Sequence, residues 1–411
     1  MTPPDALLWV ATRCFETGPR KGLGLAVSGG GDSMALLHML GPEARARGLR
    51  CRVATVDHGL RPEARAEAAR VAAACARLGL SHEILDWRGW DGQGNLQDAA
   101  RRARMTLLAG WAERHDLDAV ALGHTRDDQA ETVLMRLGRG SGVDGLSGMA
   151  KARGAGGLTW LRPLLELRRD DLRRWLEERG LGWDDDPSNT DPRFLRVRAR
   201  AALKAIEPVG VTPDGLVATA ERMALAREAL EHLADDLSSR ATRLACGAVA
   251  IKAEALARAP AETRLRLVSA ALRWIGGSVY RPRLGALRAA LDGAATARRT
   301  LGGVVLEPWR GALWLSREIA ATGPAAEIGA PWDGRWIVTG PVLPGARIAA
   351  LGPAGLPQCP GWRELGVARA ALLASPAVWQ GETLIAAPCA GRGGAWSARI
   401  VAGFPYRVLP H

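Results

Sequence analysis

The feature that most constrains the fold is a run of three glycines between an apolar segment and the start of a helical pattern. The apolar segment is Leu23–Val27, which is typical of a buried strand, and the loop after it is Ser28-Gly29-Gly30-Gly31-Asp32-Ser33. Consecutive glycines let the backbone approach an anion closely, and the following helix presents the positive end of its dipole. The segment therefore predicts a strand, a phosphate-binding loop and a helix, in that order.

The polar side chains of this loop also favour a phosphate ligand. Ser28 and Ser33 can donate hydroxyl hydrogen bonds, and Asp32 can hold a magnesium ion against the phosphates. The loop lacks the lysine of a Walker A motif and does not form GxGxxG, so it is not a dinucleotide fingerprint either. The alternative interpretation is a tight strand-to-helix turn that a serine or aspartate caps.

Short apolar runs alternate with longer amphipathic runs in the first third of the chain. Strands are predicted at 51–56, 83–85 and 119–122, and helices at 34–40, 63–78, 96–114 and 127–139. Such βαβ alternation predicts an α/β fold with a doubly wound parallel sheet that helices cover on both faces. Ligands of such folds bind at the carboxyl ends of the strands.

Two further strand ends carry polar residues that we expect at the same edge of the sheet. Asp57 and His58 follow the second strand, where they could line a nucleoside pocket or form a polar turn that Asp57 caps. His124 follows the fourth strand, and Asp128 and Glu131 come at i and i+3 in the next helix, so both carboxylates share one face. Beside a phosphate loop, the pair suits a cationic substrate or a metal. The alternative is that each acidic residue only complements the helix dipole.

The charge balance favours a polyanionic partner. The net charge is +12 and the sequence pI is about 10.3, as expected for a protein that neutralises nucleic-acid phosphates. A basic but solvated surface is the alternative.

Six scattered cysteines without a CxxC pair, together with no signal-peptide pattern, predict reduced thiols in a cytoplasmic protein. No apolar run approaches the roughly 20 residues of a membrane span.

Composition divides the chain into three predicted domains. Residues 1–212 carry the α/β pattern and the motifs, and residues 213–322 are rich in Ala, Leu and Arg, which predicts a mainly helical domain. In 323–411 Pro, Gly and Trp become more frequent, and short strands are predicted at 335–340, 346–351 and 383–388. The last domain is therefore expected to be small and mixed α/β or β-rich.

The loop SGGGDS resembles the SGGxDS pyrophosphate loop of the PP-loop ATPases, which cleave ATP between the α and β phosphates. Within them, the chain is similar to the tRNA(Ile)-lysidine synthetase family over about residues 23–200. The matching stretches are VDHGLR, NLQDAARRAR, ALGHTRDDQAETVLMRLGRGSGVDGLSGM, LRPLLELRRDDLRRWL and DDPSNTDPRFLRVRAR. The later pieces TLGG and Ser316-Arg317-Glu318 fit that family's helical appendage more loosely.

This resemblance implies a fold of the adenine nucleotide alpha hydrolase type and a ligase reaction with ATP and Mg²⁺. ATP would adenylate the C2 oxygen of the wobble cytidine, position 34, in the CAU anticodon of tRNA(Ile), releasing pyrophosphate. The amine of free L-lysine would then displace AMP and leave lysidine. The modified tRNA would read AUA instead of AUG and would carry isoleucine instead of methionine.

The resemblance also implies residue roles. It implies a catalytic set of Asp32, His124, Asp128 and Arg104, ATP contacts from residues 28–33, Asp57 and His58, lysine contacts from Asp127, Asp128 and Glu131, and tRNA contacts from Arg196 and Arg200. An N-cap role is an equal alternative for Asp127, and a solvated helix arginine is the alternative for Arg104. Val197 stands where the family often has Asn, which leaves the local geometry open. Trp87 and Trp90 are either base-stacking platforms or packing residues.

Three other functions are compatible with parts of the sequence. A tRNA thiolase of the same class usually needs cysteines that carry sulfur or bind an iron–sulfur cluster, and no cysteine here is placed at a strand end of the site. A small-molecule PP-loop ligase fits the basic charge and the long C-terminal half less well. A non-catalytic RNA-binding protein would not need the complete loop. A homodimer is compatible with the sequence, which does not specify the oligomeric state.

Overall fold

The computed structural model describes residues 3–59, 64–90, 96–184, 191–278, 280–294 and 296–408. The chain divides into two compact units, Met1–Arg227 and Glu228–His411, and the division into three domains stays a prediction. Parts of the matching motifs, residues 60–61, 95 and 185–190, lie outside the described residues.

The first unit is an α/β domain. Its strands are β1 (Gly22–Ala26), β2 (Arg50–Asp57), β3 (Ser81–Asp86), β4 (Ala119–Leu122), β5 (Ala152–Ala155) and β6 (Leu158–Leu161). Its helices are α1 (Pro3–Thr12), α2 (Cys14–Thr17), α3 (Gly31–Ala46), α4 (Ala64–Leu78), α5 (Leu96–Arg114), α6 (Arg126–Leu137), α7 (Val143–Leu146), α8 (Arg169–Glu177) and α9 (Leu195–Ile206). Helix α10 (Pro213–Ala241) contains the boundary between the two units.

The sheet of the first unit has the order β3-β2-β1-β4-β6-β5, and all neighbours are parallel except β5 and β6. The side chains of Leu23 and Leu25 pack with α3 and α8 on one face, whereas Trp111 of α5 packs on the other face. Strand β4 is buried along its whole length, as a strand covered on both faces requires. The predicted doubly wound parallel sheet is confirmed.

The second unit contains antiparallel sheets. Its strands are β7 (Thr242–Ala245), β8 (Ala248–Lys252), β9 (Arg299–Leu301), β10 (Val304–Trp309), β11 (Ala312–Arg317), β12 (Ala326–Glu327), β13 (Trp336–Thr339), β14 (Ala346–Ala350), β15 (Pro376–Gln380), β16 (Thr383–Ala386) and β17 (Ser397–Ile400). Its other helices are α11 (Ala253–Arg258), α12 (Ala261–Gly276), α13 (Leu284–Gly293), α14 (Gly352–Gly355) and α15 (Arg369–Leu373). The sheet orders are β7-β8-β11-β10-β9, β12-β14-β15-β16 and β13-β17.

The prediction of a mainly helical segment at 213–322 needs a correction. Helices α10 to α13 are present, but the same segment also forms the five-stranded sheet. Strand β8 is Ala248–Lys252, buried along its first four residues, so it lacks the polar alternation that marks a strand in a sequence. Its pairing with β11 overrides the helical propensity of alanine. The short strands predicted after 323 are observed as β13, β14 and β16.

None of the helices in the described ranges combines the length and the apolar character that a membrane crossing requires.

Candidate active site

The candidate site lies where the strand order of the parallel sheet reverses, between β1 and β4. The glycine loop follows β1, and residues 123–125 follow β4, so both emerge at the carboxyl edge of the sheet. This is the position at which open α/β sheets bind their ligands. The topology therefore brings together the two motifs that the sequence separates by about ninety residues.

Hydrogen bonds within the glycine loop hold its shape. The Ser33 hydroxyl donates to the Gly30 carbonyl at 2.8 Å and accepts from the Ser28 backbone N–H at 3.1 Å. Gly29 has a φ of +94°, and a Cβ added there would lie 3.1 Å from Asp184 Oδ2. The positive φ at position 29 therefore requires glycine, and the Ser33 hydroxyl stabilises the loop through its two hydrogen bonds.

The first turn of α3 supplies N–H groups beside this loop. Helix α3 begins at Gly31 and includes Asp32 in its first turn, and the N–H groups of Ser33 and Met34 donate to the Gly30 carbonyl at 3.0 and 2.9 Å. The Asp184 backbone N–H donates to the Gly29 carbonyl at 2.9 Å, so the segment ending at Asp184 lies against the loop. This arrangement is compatible with an anion ligand, and the phosphate site itself stays a prediction.

A second glycine brings the acidic motif close to the loop. A Cβ added to Gly123 would lie 3.2 Å from both the Asp32 carbonyl oxygen and the Ser33 Cα. Such a contact is tighter than most real Cβ atoms tolerate, so a larger residue would push β4 away from α3. Glycine at 123 therefore sets the separation between the phosphate loop and the beginning of α6.

The beginning of α6 is a capping box formed by Thr125 and Asp128. The Thr125 backbone N–H donates to Asp128 Oδ2 at 2.9 Å, and the Thr125 hydroxyl oxygen accepts a hydrogen bond from the Asp128 backbone N–H. Thr125, not Asp127, is thus the N-cap of α6. The Asp127 carboxylate instead accepts a 2.8 Å hydrogen bond from the backbone N–H of Arg169, the first residue of α8.

Three carboxylates and three arginines form one network, which we term the carboxylate–arginine cluster. Arg169 lies 3.0 Å from Asp32, 3.2 Å from Asp128 and 3.7 Å from Glu131. Arg196 lies 3.1 Å from Asp128, and Arg200 lies 2.9 Å from Glu131. The structure therefore pairs the residues predicted to bind lysine with those predicted to bind tRNA.

The cluster changes the acidity of its carboxyl groups in different directions. Burial raises the pKa of Asp32, although Arg169 opposes this change. Burial also raises the pKa of Glu131, with Asp128 adding to the rise and Arg200 opposing it. Burial acts in the same direction on Asp128, but Arg196 and Arg169 outweigh it and its pKa falls below the ordinary value. Glu131 is consequently a better proton acceptor than Asp128.

His124 is buried beside this network. Burial, together with Arg104, Arg162 and Arg196, lowers its pKa to about 3 against the opposing effect of Asp128. The ring is therefore neutral near pH 7. Its Nδ1 is buried without a hydrogen-bond partner among the described residues, an arrangement that a polar substrate group could satisfy.

Arg104 of α5 also has a buried polar atom, its Nε, for which the described residues provide no hydrogen-bond partner. Burial lowers the pKa of Arg104 to about 10, with Arg101 and Arg196 adding to the effect. The guanidinium therefore remains charged at neutral pH. Its buried Nε disfavours the alternative of a fully solvated helix arginine.

The end of β2 adopts a capped turn. Asp57 accepts a 2.8 Å hydrogen bond from the Gly59 backbone N–H, which corresponds to the capping alternative. The ring of His58 packs edge-on against Trp87 with 5.6 Å between centroids. Burial lowers the pKa of His58, as does Arg104. Contact between Asp57 or His58 and a nucleoside stays a prediction. Trp90 is 44% exposed, and its role as a base-stacking platform also stays a prediction.

Two arginines of the site carry no distinguishing signal in the sequence. Arg169 lies in LRPLLELRRDDLRRWL with four other arginines, and its position at the first turn of α8 sets it apart. Arg162, from the same stretch, is buried and donates to the Ala150 carbonyl at 2.8 Å. Only the packing of α8 against α3 distinguishes Arg169 from the arginines around it.

The described residues contain no group of three or more His, Cys, Asp or Glu side chains arranged to hold a metal. Mg²⁺ commonly binds through one or two carboxylates together with substrate phosphates. Asp32, within the phosphate loop, fits this limited role, although Arg169 is its partner in the structure.

The PP-loop domain family model matches residues 10–206. The chain is 46% identical over 395 residues to the tRNA(Ile)-lysidine synthase of Ruegeria pomeroyi, covering 95% of this chain and 93% of that protein. It is 42% identical to the tRNA(Ile)-lysidine synthase of Bradyrhizobium sp. strain BTAi1, covering 66% of this chain and 79% of the relative. Among solved structures, a U34-tRNA thiolase from Methanococcus maripaludis aligns with a TM-score of 0.45 and 17% identity over 53% of this chain and 78% of that one.

Proposed function

Because the chain belongs to the tRNA(Ile)-lysidine synthase family of PP-loop, ATP-using ligases, we propose that it joins free lysine to C2 of the wobble cytidine of tRNA(Ile) with a CAU anticodon. The observation that carries this proposal is the convergence of an anion loop and a carboxylate pair at one switch point of the sheet. A tRNA substrate also implies the cytoplasmic location expected from the sequence.

In the first step, the C2 oxygen of the cytidine attacks the α phosphorus of ATP. A bond from that oxygen to phosphorus forms, the bond to the bridging oxygen breaks, and pyrophosphate leaves. Residues 28–33 would hold the β and γ phosphates through backbone N–H groups and the N-terminus of α3. Mg²⁺, held by Asp32 and the phosphates, would neutralise charge on the leaving pyrophosphate.

In the second step, the amine of lysine attacks C2, and the bond between C2 and its oxygen breaks to release AMP. Adenylation matters because it converts a poor leaving oxygen into a phosphate ester. Asp128 and Glu131 would bind the ammonium form of the lysine side chain, since a buried ammonium requires a carboxylate partner. Their places on one face of α6 support this role.

The amine must lose a proton before it attacks, and the electrostatics favour Glu131 as the acceptor. His124, with a pKa near 3, and Asp128, with a lowered pKa, are weak bases, whereas the pKa of Glu131 is raised. Glu131 Oε2 is buried and lacks a hydrogen-bond partner in the described ranges, so one lone pair is available. His124 and Arg104 would instead contact the base and the phosphate of the intermediate.

The thiolase alternative is disfavoured by the thiols of the first unit. Burial raises the pKa of Cys14 and of Cys51 to about 12 and that of Cys75 to about 11. A thiol with a raised pKa is a poor nucleophile at neutral pH.

One incubation tests the function directly. The protein, ATP, Mg²⁺, radiolabelled lysine and a tRNA(Ile) transcript with a CAU anticodon should produce labelled tRNA. The matched control is the same transcript with uridine in place of the wobble cytidine, which should remain unlabelled. Absence of label from the first transcript would reject the proposed function.

The order of steps is tested with heavy oxygen at C2 of the wobble cytidine. Because C2 oxygen leaves with AMP, mass spectrometry should find the heavy oxygen in the released AMP. AMP that instead carries oxygen from a labelled lysine carboxylate would mean that the amino acid is activated, and the proposed mechanism would be wrong.

A further inference from the structure

Two arginines of α9 cover the carboxylates of the proposed lysine site. Arg196 and Arg200 are one turn apart on the same face of the helix, and each pairs with one carboxylate of α6. Arg196 donates to Asp128 at 3.1 Å, and Arg200 donates to Glu131 at 2.9 Å. Both oxygens of Asp128 are occupied, Oδ1 by Arg169 and Arg196 and Oδ2 by Thr125, so an ammonium group that bound Asp128 would take the place of Arg196. At Glu131 only the buried Oε2 has no partner among the described residues, and Arg200 covers the carboxylate from the solvent side through Oε1.

The two arginines of α9 are more exposed to solvent than Arg169. The side chains of Arg196 and Arg200 are 36% and 37% exposed, whereas that of Arg169 is 17% exposed. The Asp128 and Glu131 side chains are only 9% and 1% exposed. An anion in solution can therefore reach the two α9 arginines directly, while a cation cannot reach the carboxylates before those arginines move.

The formal charges of the carboxylate–arginine cluster cancel. Three carboxylates face three guanidinium groups, so the closed cluster offers an incoming ammonium no net attraction. Removing a guanidinium without replacement is also unfavourable, because it leaves a buried carboxylate unpaired. Displacing a guanidinium without a replacement cation, or adding an ammonium without displacing a guanidinium, is therefore unfavourable.

We propose that Arg196 and Arg200 couple the binding of tRNA to the binding of lysine. Phosphate groups of the tRNA bind the guanidinium groups of Arg196 and Arg200. The ammonium group of lysine then replaces these guanidinium groups as the partner of Asp128 and Glu131. This inference rests on the proposed function, because it assumes that lysine and tRNA are the substrates. Every charged group keeps a partner when both exchanges occur together, so each ligand favours the other.

The test is equilibrium dialysis of radiolabelled lysine, without ATP, against the full-length protein. Adding tRNA(Ile) should lower the Kd for lysine about 5- to 150-fold, the usual range of coupling between two sites. A separate arm adds α,β-methylene-ATP without tRNA, and lysine affinity should change far less. An equal or larger effect in that arm would assign the phosphates to ATP and overturn the proposal.

Variants test the arginines themselves. Arg200→Gln and Arg196→Gln should bind lysine more tightly than the wild type in the absence of tRNA, and tRNA should then increase affinity less. Arg198→Gln is the matched control on the same helix, because the exposed Arg198 side chain donates only to the Pro192 carbonyl, at 3.4 Å, among the contacts described. It should keep wild-type lysine affinity and wild-type coupling.

The wild-type measurement remains decisive even if a variant does not fold. A lysine Kd that tRNA does not change would overturn the coupling, and so would folded Arg196 and Arg200 variants with unchanged lysine affinity. If the wild type still transfers labelled lysine to tRNA in the presence of ATP, only the coupling fails. If no labelled tRNA forms, the proposed function itself fails.

Discussion

Arg169 connects the phosphate loop to the proposed amino-acid site through one side chain. Its guanidinium contacts Asp32 on α3 and both Asp128 and Glu131 on α6, while its backbone N–H binds Asp127. The buried Asp128 and Glu131 and the half-buried Asp32 repel one another unless cations lie between them. Arg169 therefore stabilises the site before any substrate binds.

Replacing Arg169 should consequently destabilise the first unit. Loss of one partner from a buried ionic network typically costs about 3–5 kcal/mol, and we expect about 2–4 for Arg169→Gln because two arginines remain. The control is Arg174→Gln on the same helix, whose exposed pair with Asp171 should contribute less than about 1 kcal/mol. Thermal unfolding measures both, and equal losses would contradict a special role for Arg169.

His124 makes a prediction about pH. Its pKa is about 3 in the folded protein and 6.5 ordinarily, so below pH 6.5 the unfolded chain binds more protons. The free energy of unfolding should therefore fall as pH decreases from 6.5 toward 3, with His124 contributing up to about 2 kcal/mol between pH 6.5 and 5. The charged groups that change the pKa of His124 are Asp128, Arg104, Arg162 and Arg196.

Urea unfolding of His124→Gln at the two pH values checks this contribution. The variant should lose less stability than the wild type between pH 6.5 and 5, because glutamine does not titrate. His115→Gln is the control, since the His115 ring nitrogen is already paired with Glu83 at 2.8 Å. If His124→Gln has the same pH dependence as the wild type, the ring is not held neutral by burial.

At the scale of elements, the junction between β1 and α3 should carry the ATP chemistry. Ser33→Ala removes the hydroxyl that binds Gly30 and Ser28, and Asp32→Ala removes the candidate magnesium carboxylate. Each change should reduce ATP-dependent AMP formation at least about a hundredfold, the size typical of a lost electrostatic contact to a transferring group. Binding of tRNA, measured by filter retention, should persist.

The conservative variant Ser33→Thr provides the control for this element. Threonine keeps the hydroxyl at the same position and should retain more activity than alanine. Circular dichroism should show that all three variants are folded. Normal AMP formation by Asp32→Ala or Ser33→Ala would remove the loop from the mechanism.

At the scale of the whole molecule, the charge of +12 predicts that the affinity for tRNA depends strongly on salt. Each phosphate contact releases a condensed counterion, so the logarithm of the binding constant should fall linearly with that of the salt concentration, by roughly 0.7–0.9 per contact. Fluorescence titrations between 50 and 200 mM salt, roughly the range in which such losses are large, measure this slope. A dissociation constant independent of salt would exclude an interface dominated by phosphates.

The structure shows why this measurement should use the full chain. A chain that ends at residue 215 would lose Leu216, Val217 and Ala220 of α10, which are buried against Ala130 and Val133 of α6. Helix α6 carries the carboxylates of the site, so such a truncation would disturb lysine binding as well as tRNA binding.

Local patterns in the sequence were sufficient to predict strands β1 to β4 of the first unit and the helices between them, but not β5 and β6. Strand β4 and helix α5 have the predicted bounds, and the glycine loop lies between β1 and α3 as expected. These features depend on residues close together in the chain: apolar periodicity, glycine conformation and the N-terminus of a helix. The right-handed crossover rule then brings the loop and α6 to one edge of the sheet.

The partners of the charged residues were decided only by the tertiary structure. Asp128 and Arg196 are far apart in the chain, and their pairing depends on how α9 packs against α6. The strands of residues 242–317 are a second example, because β8 has no alternating pattern and forms by pairing with β11. Charge pairing and strand pairing are both interactions between distant segments, so their free energies do not appear in any local sequence pattern.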